Sequence, residues 1–191
     1  PSVKTIKTYL KSNKIDAVIQ IGTHENNPML NDVYINNTEE SILNCSGSRY
    51  SPSSPLSIIR DIIQSPSKTK YAIVGKPCDI AAVRSLKLLN SSFDDTFPYL
   101  ISFFCAGVPS IQATEDILSK FNISSEDLIE FKYRGDGWPG LTKAVAKNGI
   151  TNTMTYNESW GSILNKKLQP RCKICADGIG EAADVVCADA W

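Results

Sequence analysis

The sequence predicts a layered α/β fold: a mostly parallel sheet with flanking helices, followed by a small β-hairpin and a cysteine-bearing C-terminal segment. Three observations predict it. Residues 70–74 and 99–104 are short, β-rich runs that stay apolar on successive positions, as strands covered on both faces do. Each is followed by a stretch of helical periodicity, and strand, helix, strand, helix in that order calls for parallel pairing through crossovers. Asn148-Gly149 divides the alternating segment 141–156 and is the strongest short-range hairpin signal.

The elements follow in order. Residues 2–12 place Val3, Ile6, Tyr9 and Leu10 on one helical face, and 15–22 reads as a buried strand ending in a turn at Gly22. Residues 31–36 form a short strand. Residues 38–43 form a helix capped by Thr38, with Glu39 and Glu40 in its first turn, and 56–64 another. Between them 46–51 is too polar for a core. The strand at 70–74 leads through Gly75-Lys76-Pro77-Cys78 into a helix over 79–89 that turns Ile80, Val83, Leu86 and Leu89 inward. The strand at 99–104 leads through Cys105-Ala106-Gly107-Val108-Pro109 into a helix over 110–121. A further strand covers 128–133, the hairpin 141–156, a helix lies near 159–166, and the apolar run 182–188 reads as one more strand.

At 191 residues the chain is read as a single domain, with an α/β core over about 14–134 and a hairpin and cysteine segment over about 141–191. It begins at Pro1 without a Met and ends at Trp191 just after an apolar run, so a fragment of a longer protein is expected. Twenty Lys and Arg balance 20 Asp and Glu, which argues against nucleic-acid binding, since that runs on a cationic surplus. No segment reaches the length of apolar residues needed to span a bilayer, and no signal-peptide pattern opens the chain. A cytoplasmic, reducing setting follows as the default.

In such a setting six cysteines point to metal or redox chemistry rather than to disulfides. Cys78 and Cys105 each follow a strand, and loops after parallel strands gather at one carboxyl edge, where ligands bind. Neighbouring strands would bring both thiols to one cluster, although a disulfide has the same reach. Cys78 also opens a helix, an environment that favours a thiolate. Cys172 and Cys175 form a C-x-x-C pair that can grip one metal or cluster from a single turn. Four thiolates suit a [4Fe-4S] cluster and equally a structural zinc. Cys45 and Cys187 are read as small buried hydrophobes. The only histidine, His24, falls in a surface loop and receives no catalytic role, which disfavours a histidine-dependent hydrolase.

Four motifs in order, Gly75-Lys76-Pro77-Cys78-Asp79-Ile80-Ala81-Ala82, Phe103-Phe104-Cys105-Ala106-Gly107, Tyr133-Arg134-Gly135-Asp136-Gly137-Trp138-Pro139-Gly140 and Arg171-Cys172-Lys173-Ile174-Cys175-Ala176-Asp177, resemble the signatures of the coenzyme F420 hydrogenase/dehydrogenase beta-subunit family. The tail from Ala183 to Trp191 is similar to that family's closing stretch, and the resemblance runs from about residue 46 to the end. It implies an iron-sulfur flavoprotein, with FAD beside a [4Fe-4S] cluster and electrons passing from a redox partner protein or subunit to a small-molecule two-electron acceptor such as coenzyme F420. It implies Cys78, Cys105, Cys172 and Cys175 as cluster ligands and Ser48, Arg49, Tyr50, Lys76, Arg134 and Gly135 as flavin contacts. Gly75 and Gly135 permit close backbone approach, and Ser48, Arg49, Lys76 and Arg134 can meet a pyrophosphate with charge-assisted bonds. Trp138 is read as packing. Two departures stand out: the family's amino-terminal Ser-Gly-Gly segment has no counterpart, and Cys187-Ala188 replace a small residue and Gly before Asp189. A different class remains open, a non-catalytic scaffold in which the same cysteines bind zinc, and so does an electron-relaying domain with a cluster and no flavin.

Overall fold

A computed structural model describes residues 2–65, 67–135 and 137–189. Pro1, Asp136 of the expected glycine-rich turn, and Ala190 and Trp191 of the tail lie outside the described residues, as does Pro66. Helix α1 (Ser2–Lys11) buries Ile6, with Val3, Tyr9 and Leu10 partly covered around it. Strand β1 (Ala17–His24) does not stop at Gly22. A Cβ there would lie 2.8 Å from Cys45 Sγ and 2.9 Å from the Tyr34 ring, so the glycine marks a tight packing point within a strand. The turn comes at Glu25-Asn26, where His24 Nδ1 accepts from Asn26 N at 3.1 Å, and β2 (Asn27–Asn36) returns antiparallel. The histidine therefore ends a strand instead of sitting in an open loop.

Helix α2 (Glu39–Asn44) carries the expected cap, with Thr38 Oγ1 accepting from Ser41 N at 3.2 Å. Helix α3 (Ile59–Gln64), strand β3 (Tyr71–Gly75), helix α4 (Pro77–Leu89), the short α5 (Ser92–Thr96) and strand β4 (Tyr99–Phe103) follow. In α4, Ile80 and Val83 are fully buried, but Leu89 is 83% exposed against expectation. At about 100° per residue, steps of three drift backward until the residue nine positions on faces about 180° from the first. The inward place goes to Lys87, which lies 3.3 Å from Asp94.

Helix α6 (Ile111–Phe121), strand β5 (Leu128–Lys132), the hairpin β6 (Thr142–Ala146) and β7 (Thr151–Met154), three irregular helical turns over 157–174, and β8 (Val185–Cys187) complete the chain. The main sheet has the order β2-β1-β3-β4-β8; only the β2 pairing is antiparallel. The expected α/β architecture is therefore the observed one. Strand β5 leaves that sheet and pairs antiparallel with β6, forming a second sheet β5-β6-β7. Its Phe131 and the adjacent Tyr133 pack with Ala113, Ile117 and Leu118 of α6 and with Leu164. Among the described residues no helix is long and apolar enough to cross a membrane.

Candidate functional site

Strands β3 and β4 are parallel neighbours, with Gly75 opposite Ser102, so their following loops leave the sheet side by side. Cys78 sits in the first turn of α4 after β3, and Cys105 two residues beyond β4. The C-x-x-C segment is far away in sequence, but it is stitched to the Cys105 loop. Ser110 N donates to Lys167 O and Gln169 N to Val108 O, both at 2.9 Å, beside a bridge between Pro109 and Leu168. Val108 N also points at Cys172 Sγ, 3.4 Å away. Gly107 makes this closeness possible: its φ is +111°, and a Cβ would stand 3.0 Å from Leu168 and 3.4 Å from Cys172 Cβ. On the other flank Cys105 N donates to Gly178 O at 2.9 Å, while Asp177 accepts backbone N–H bonds from Ile179, Gly180 and Glu181 and fixes the loop after Cys175.

These tethers bring the four cysteine-bearing segments into one region. Cys105 lies within electrostatic reach of Cys172 and Cys78, and Cys78 of Cys175. All six cysteines are free, with no disulfide among them. Nor, among the described residues, does any group of three or more His, Cys, Asp or Glu draw close enough to hold a metal ion. Burial, and after it the Asp79 carboxylate, push the Cys78 thiol up, and burial does the same to Cys105. These effects oppose the helix-end preference for a thiolate at Cys78. Four soft thiols on tethered loops nonetheless form a donor set chemically suited to a cluster or to zinc.

Beside them lies a cavity of about 840 Å³, within the range of small-molecule sites. Every residue singled out as a flavin contact lines it: Ser48, Arg49 and Tyr50 from the polar loop, Gly75 and Lys76 at the end of β3, and Arg134 and Gly135 after β5. Cys105 lines it too, and is the one member of the four-cysteine group on that wall. The cations are unequally available. Arg49 Nε donates to Asn31 Oδ1 at 2.7 Å, Nη2 to the carbonyls of Pro28 and Leu30 at 2.8 Å, and Nη1 to Phe131 O at 3.4 Å. Lys76 Nζ meets Asp79 at 2.6 Å and Ser53 at 3.0 Å, leaving the third of its N–H donors for a ligand. Arg134 Nε donates to Pro139 O at 2.7 Å and Nη1 to Asp189 at 2.9 Å and to Tyr50 Oη at 3.5 Å, while Nη2 has no hydrogen bond among the described residues. At Gly75 the space is filled from inside, since a Cβ would meet Asp79 Cβ at 3.0 Å.

Several residues on this wall carried no functional reading in the sequence. Cys45 and Cys187 are half-buried on the cavity wall rather than sealed in a core, and Cys45 Sγ accepts from Asn36 Nδ2 at 3.3 Å. Trp138, between the lining residues Gly137 and Pro139, is 53% exposed and does not itself line the cavity. Tyr156 lies under the Arg134 guanidinium, 5.3 Å from centroid to cation, and Trp160 stacks at a tilt on Tyr50. Gln20 was detectable, as a polar residue inside the apolar run of β1.

A family model for the C terminus of the coenzyme F420 hydrogenase/dehydrogenase beta subunit matches residues 68–190, and the model for its N-terminal part matches residues 4–60. The second match carries the likeness well before residue 46, where the sequence motifs begin. The coenzyme F420 hydrogenase subunit beta of Methanococcus voltae is 25% identical over 151 residues, covering 78% of this chain and 50% of that protein. The chain thus spans about half the length of that curated relative. A chain in the xenon-derivatised F420-reducing [NiFe] hydrogenase complex from Methanosarcina barkeri matches with a TM-score of 0.71 at 21% identity, over 96% of this chain and 61% of that one. At that identity the likeness is one of fold.

Proposed function

The chain belongs to the coenzyme F420 hydrogenase/dehydrogenase beta-subunit family, and from that membership we propose that it forms the flavin- and [4Fe-4S]-binding part of an oxidoreductase subunit. It would work with a redox partner protein or subunit and a small-molecule two-electron acceptor, for which coenzyme F420 is the leading candidate. The observation that carries this reading is the position of Cys105, which lies within electrostatic reach of Cys78 and Cys172 and also lines the cavity.

Cys78, Cys105, Cys172 and Cys175 would hold the cluster. Burial pushes the Cys78 and Cys105 thiols up, and binding a cluster there as thiolates would release their protons. Lys76 and Arg134 offer N–H donors to a pyrophosphate, with the Ser48 hydroxyl on the same wall, and Tyr50 with Trp160 supplies an aromatic surface. When bound, a flavin supplies two-electron hydride exchange and the cluster single-electron transfer. The chain's own part is to bind, orient and desolvate, and His24, hydrogen-bonded within its turn, contributes no acid-base step.

The deciding measurement is the iron, acid-labile sulfide, zinc and FAD content of the full-length protein purified without oxygen, beside the Cys172→Ser, Cys175→Ser double variant. The expected result is about four irons and four sulfides per chain together with FAD, and loss of the iron in the variant. Zinc with neither sulfide nor flavin would replace this reading with a scaffold stabilised by the same thiolates.

A further inference from the structure

Lys76 and Arg134 are each paired with a carboxylate on the same cavity wall, Lys76 with Asp79 at 2.6 Å and Arg134 with Asp189 at 2.9 Å. The two carboxylates are held very differently. Asp79 belongs to the first turn of α4, accepts from Lys76 N at 3.1 Å, and has a side chain only 15% exposed, packed under Gly75. It cannot move without uncapping the helix. Asp189 follows β8 outside any regular element, its side chain is 36% exposed, and Arg134 is its one hydrogen-bond partner among the described residues.

The guanidinium that Asp189 meets is fixed from the other side. Its Nε is tied to Pro139 O at 2.7 Å, and it lies over the Tyr156 ring at 5.3 Å. A phosphate gripped by two parallel N–H bonds needs both nitrogens along one edge of the fork. With Nε engaged, only the edge formed by Nη1 and Nη2 is left, and Asp189 occupies Nη1.

We propose that Asp189 is a displaceable counter-ion, holding Arg134 until a ligand phosphate takes the edge formed by Nη1 and Nη2, and so setting how strongly the cavity binds phosphorylated ligands. The inference rests on the flavin reading above and deepens it, by assigning the residue that the pyrophosphate of the dinucleotide must displace. Breaking the ion pair is a cost that only a phosphorylated ligand meets. The pair is partly exposed, so that cost is modest, about fivefold in affinity at most.

The test uses full-length protein, purified without oxygen, stripped of flavin and kept in phosphate-free buffer. FAD and riboflavin, which carries no phosphate, are titrated by fluorescence quenching into the wild type, Asp189→Asn, Arg134→Met and the double variant. Inorganic pyrophosphate is titrated into the same four proteins by calorimetry. The expected result is that Asp189→Asn binds FAD about fivefold more tightly than the wild type, with no gain for riboflavin. Made on Arg134→Met, the same substitution should gain less than about twofold, because no pair remains to be broken. A gain as large or larger in that background overturns the proposal, since Asp189 would then repel phosphates through space without yielding Arg134. FAD binding by Asp189→Asn that is no tighter than wild type overturns it too, as does an equal gain for riboflavin. If the wild type binds neither flavin, the flavin reading falls and the pyrophosphate series decides this inference separately. Tighter pyrophosphate binding by Asp189→Asn only where Arg134 is present supports displacement by another phosphorylated ligand, and no such gain overturns it.

Discussion

Arg49 and Arg134 both line the cavity, and the protein uses them in opposite ways. Around Arg49, the polar loop is clamped against β2 and β5. The guanidinium spends four of its five N–H donors on Asn31 and on the carbonyls of Pro28, Leu30 and Phe131, and rests over the Tyr133 ring at 5.2 Å. Burial lowers its pKa, as it does for any cation withdrawn from water. Around Arg134 the loop after β5 is held by bonds to Pro139 and Asp189 and a long one to Tyr50 Oη at 3.5 Å, and Nη2 has no hydrogen bond among the described residues. Two arginines of similar promise in the sequence are thus a strut joining the two sheets and a candidate anion contact. What separates them is the number of donors the fold has already engaged.

The largest effect that could break this comparison is on stability. Arg49→Ala leaves three carbonyls facing a void and is expected to lower the unfolding free energy by about 3 kcal/mol in a denaturant titration. Arg49→Lys should not restore it, because one ammonium cannot span that fork of acceptors. A loss under about 1 kcal/mol would show that Arg49 is not a strut. Arg134→Met should reverse the pattern, with FAD affinity falling about tenfold and stability changing by less than about 1 kcal/mol, since its ion pair with Asp189 is partly exposed. Equal affinity in the variant would take Arg134 out of the proposed contacts.

The smallest effect sharpens the strut side. Burial raises the Tyr133 pKa above 10.0, only partly offset by its hydrogen bond with Thr114 at 2.7 Å. A folded-state pKa above the unfolded one gives stability that is complete below the unfolded value and is lost as pH rises through the folded one. Denaturation midpoints followed upward from about pH 8 should therefore decline beyond about pH 10 in the wild type. Tyr133→Phe should lose about 1 kcal/mol at neutral pH with the Thr114 bond and lack that part of the alkaline decline. Parallel pH profiles for the two proteins would place the alkaline weakness elsewhere.

Much of the frame was legible. The runs at 70–74 and 99–104 with their helices announced the parallel pair β3 and β4, and with it the convergence of Cys78 and Cys105, because strand order and loop position follow from local pattern and the crossover rule. Less legible was the sheet that β5 joins: its alternation states that one face is buried but not against what. Leu89 was misplaced because a three-residue spacing drifts around a helix, and the end of β1 because Gly22 is a packing glycine that looks like a turn glycine. The cavity residues named from sequence do share one wall, but nothing in their local context told Arg49 from Arg134.

By itself, then, the sequence determined the layered α/β class, the strand-loop-helix units that carry Cys78 and Cys105, and the residue types gathered around the cavity. These are properties of periodicity and turn chemistry over a few neighbours. Tertiary structure alone decided which polar groups are already partnered. Arg49 meets acceptors 18 to 82 residues away, Cys172 is brought to Val108 across 64, and Gln20 turns its amide to Ile42 across 22, with its oxygen unmet among the described residues. A donor or acceptor is available to a ligand only after the distant backbone has made its claims, and those claims arise from chain segments that local sequence cannot see.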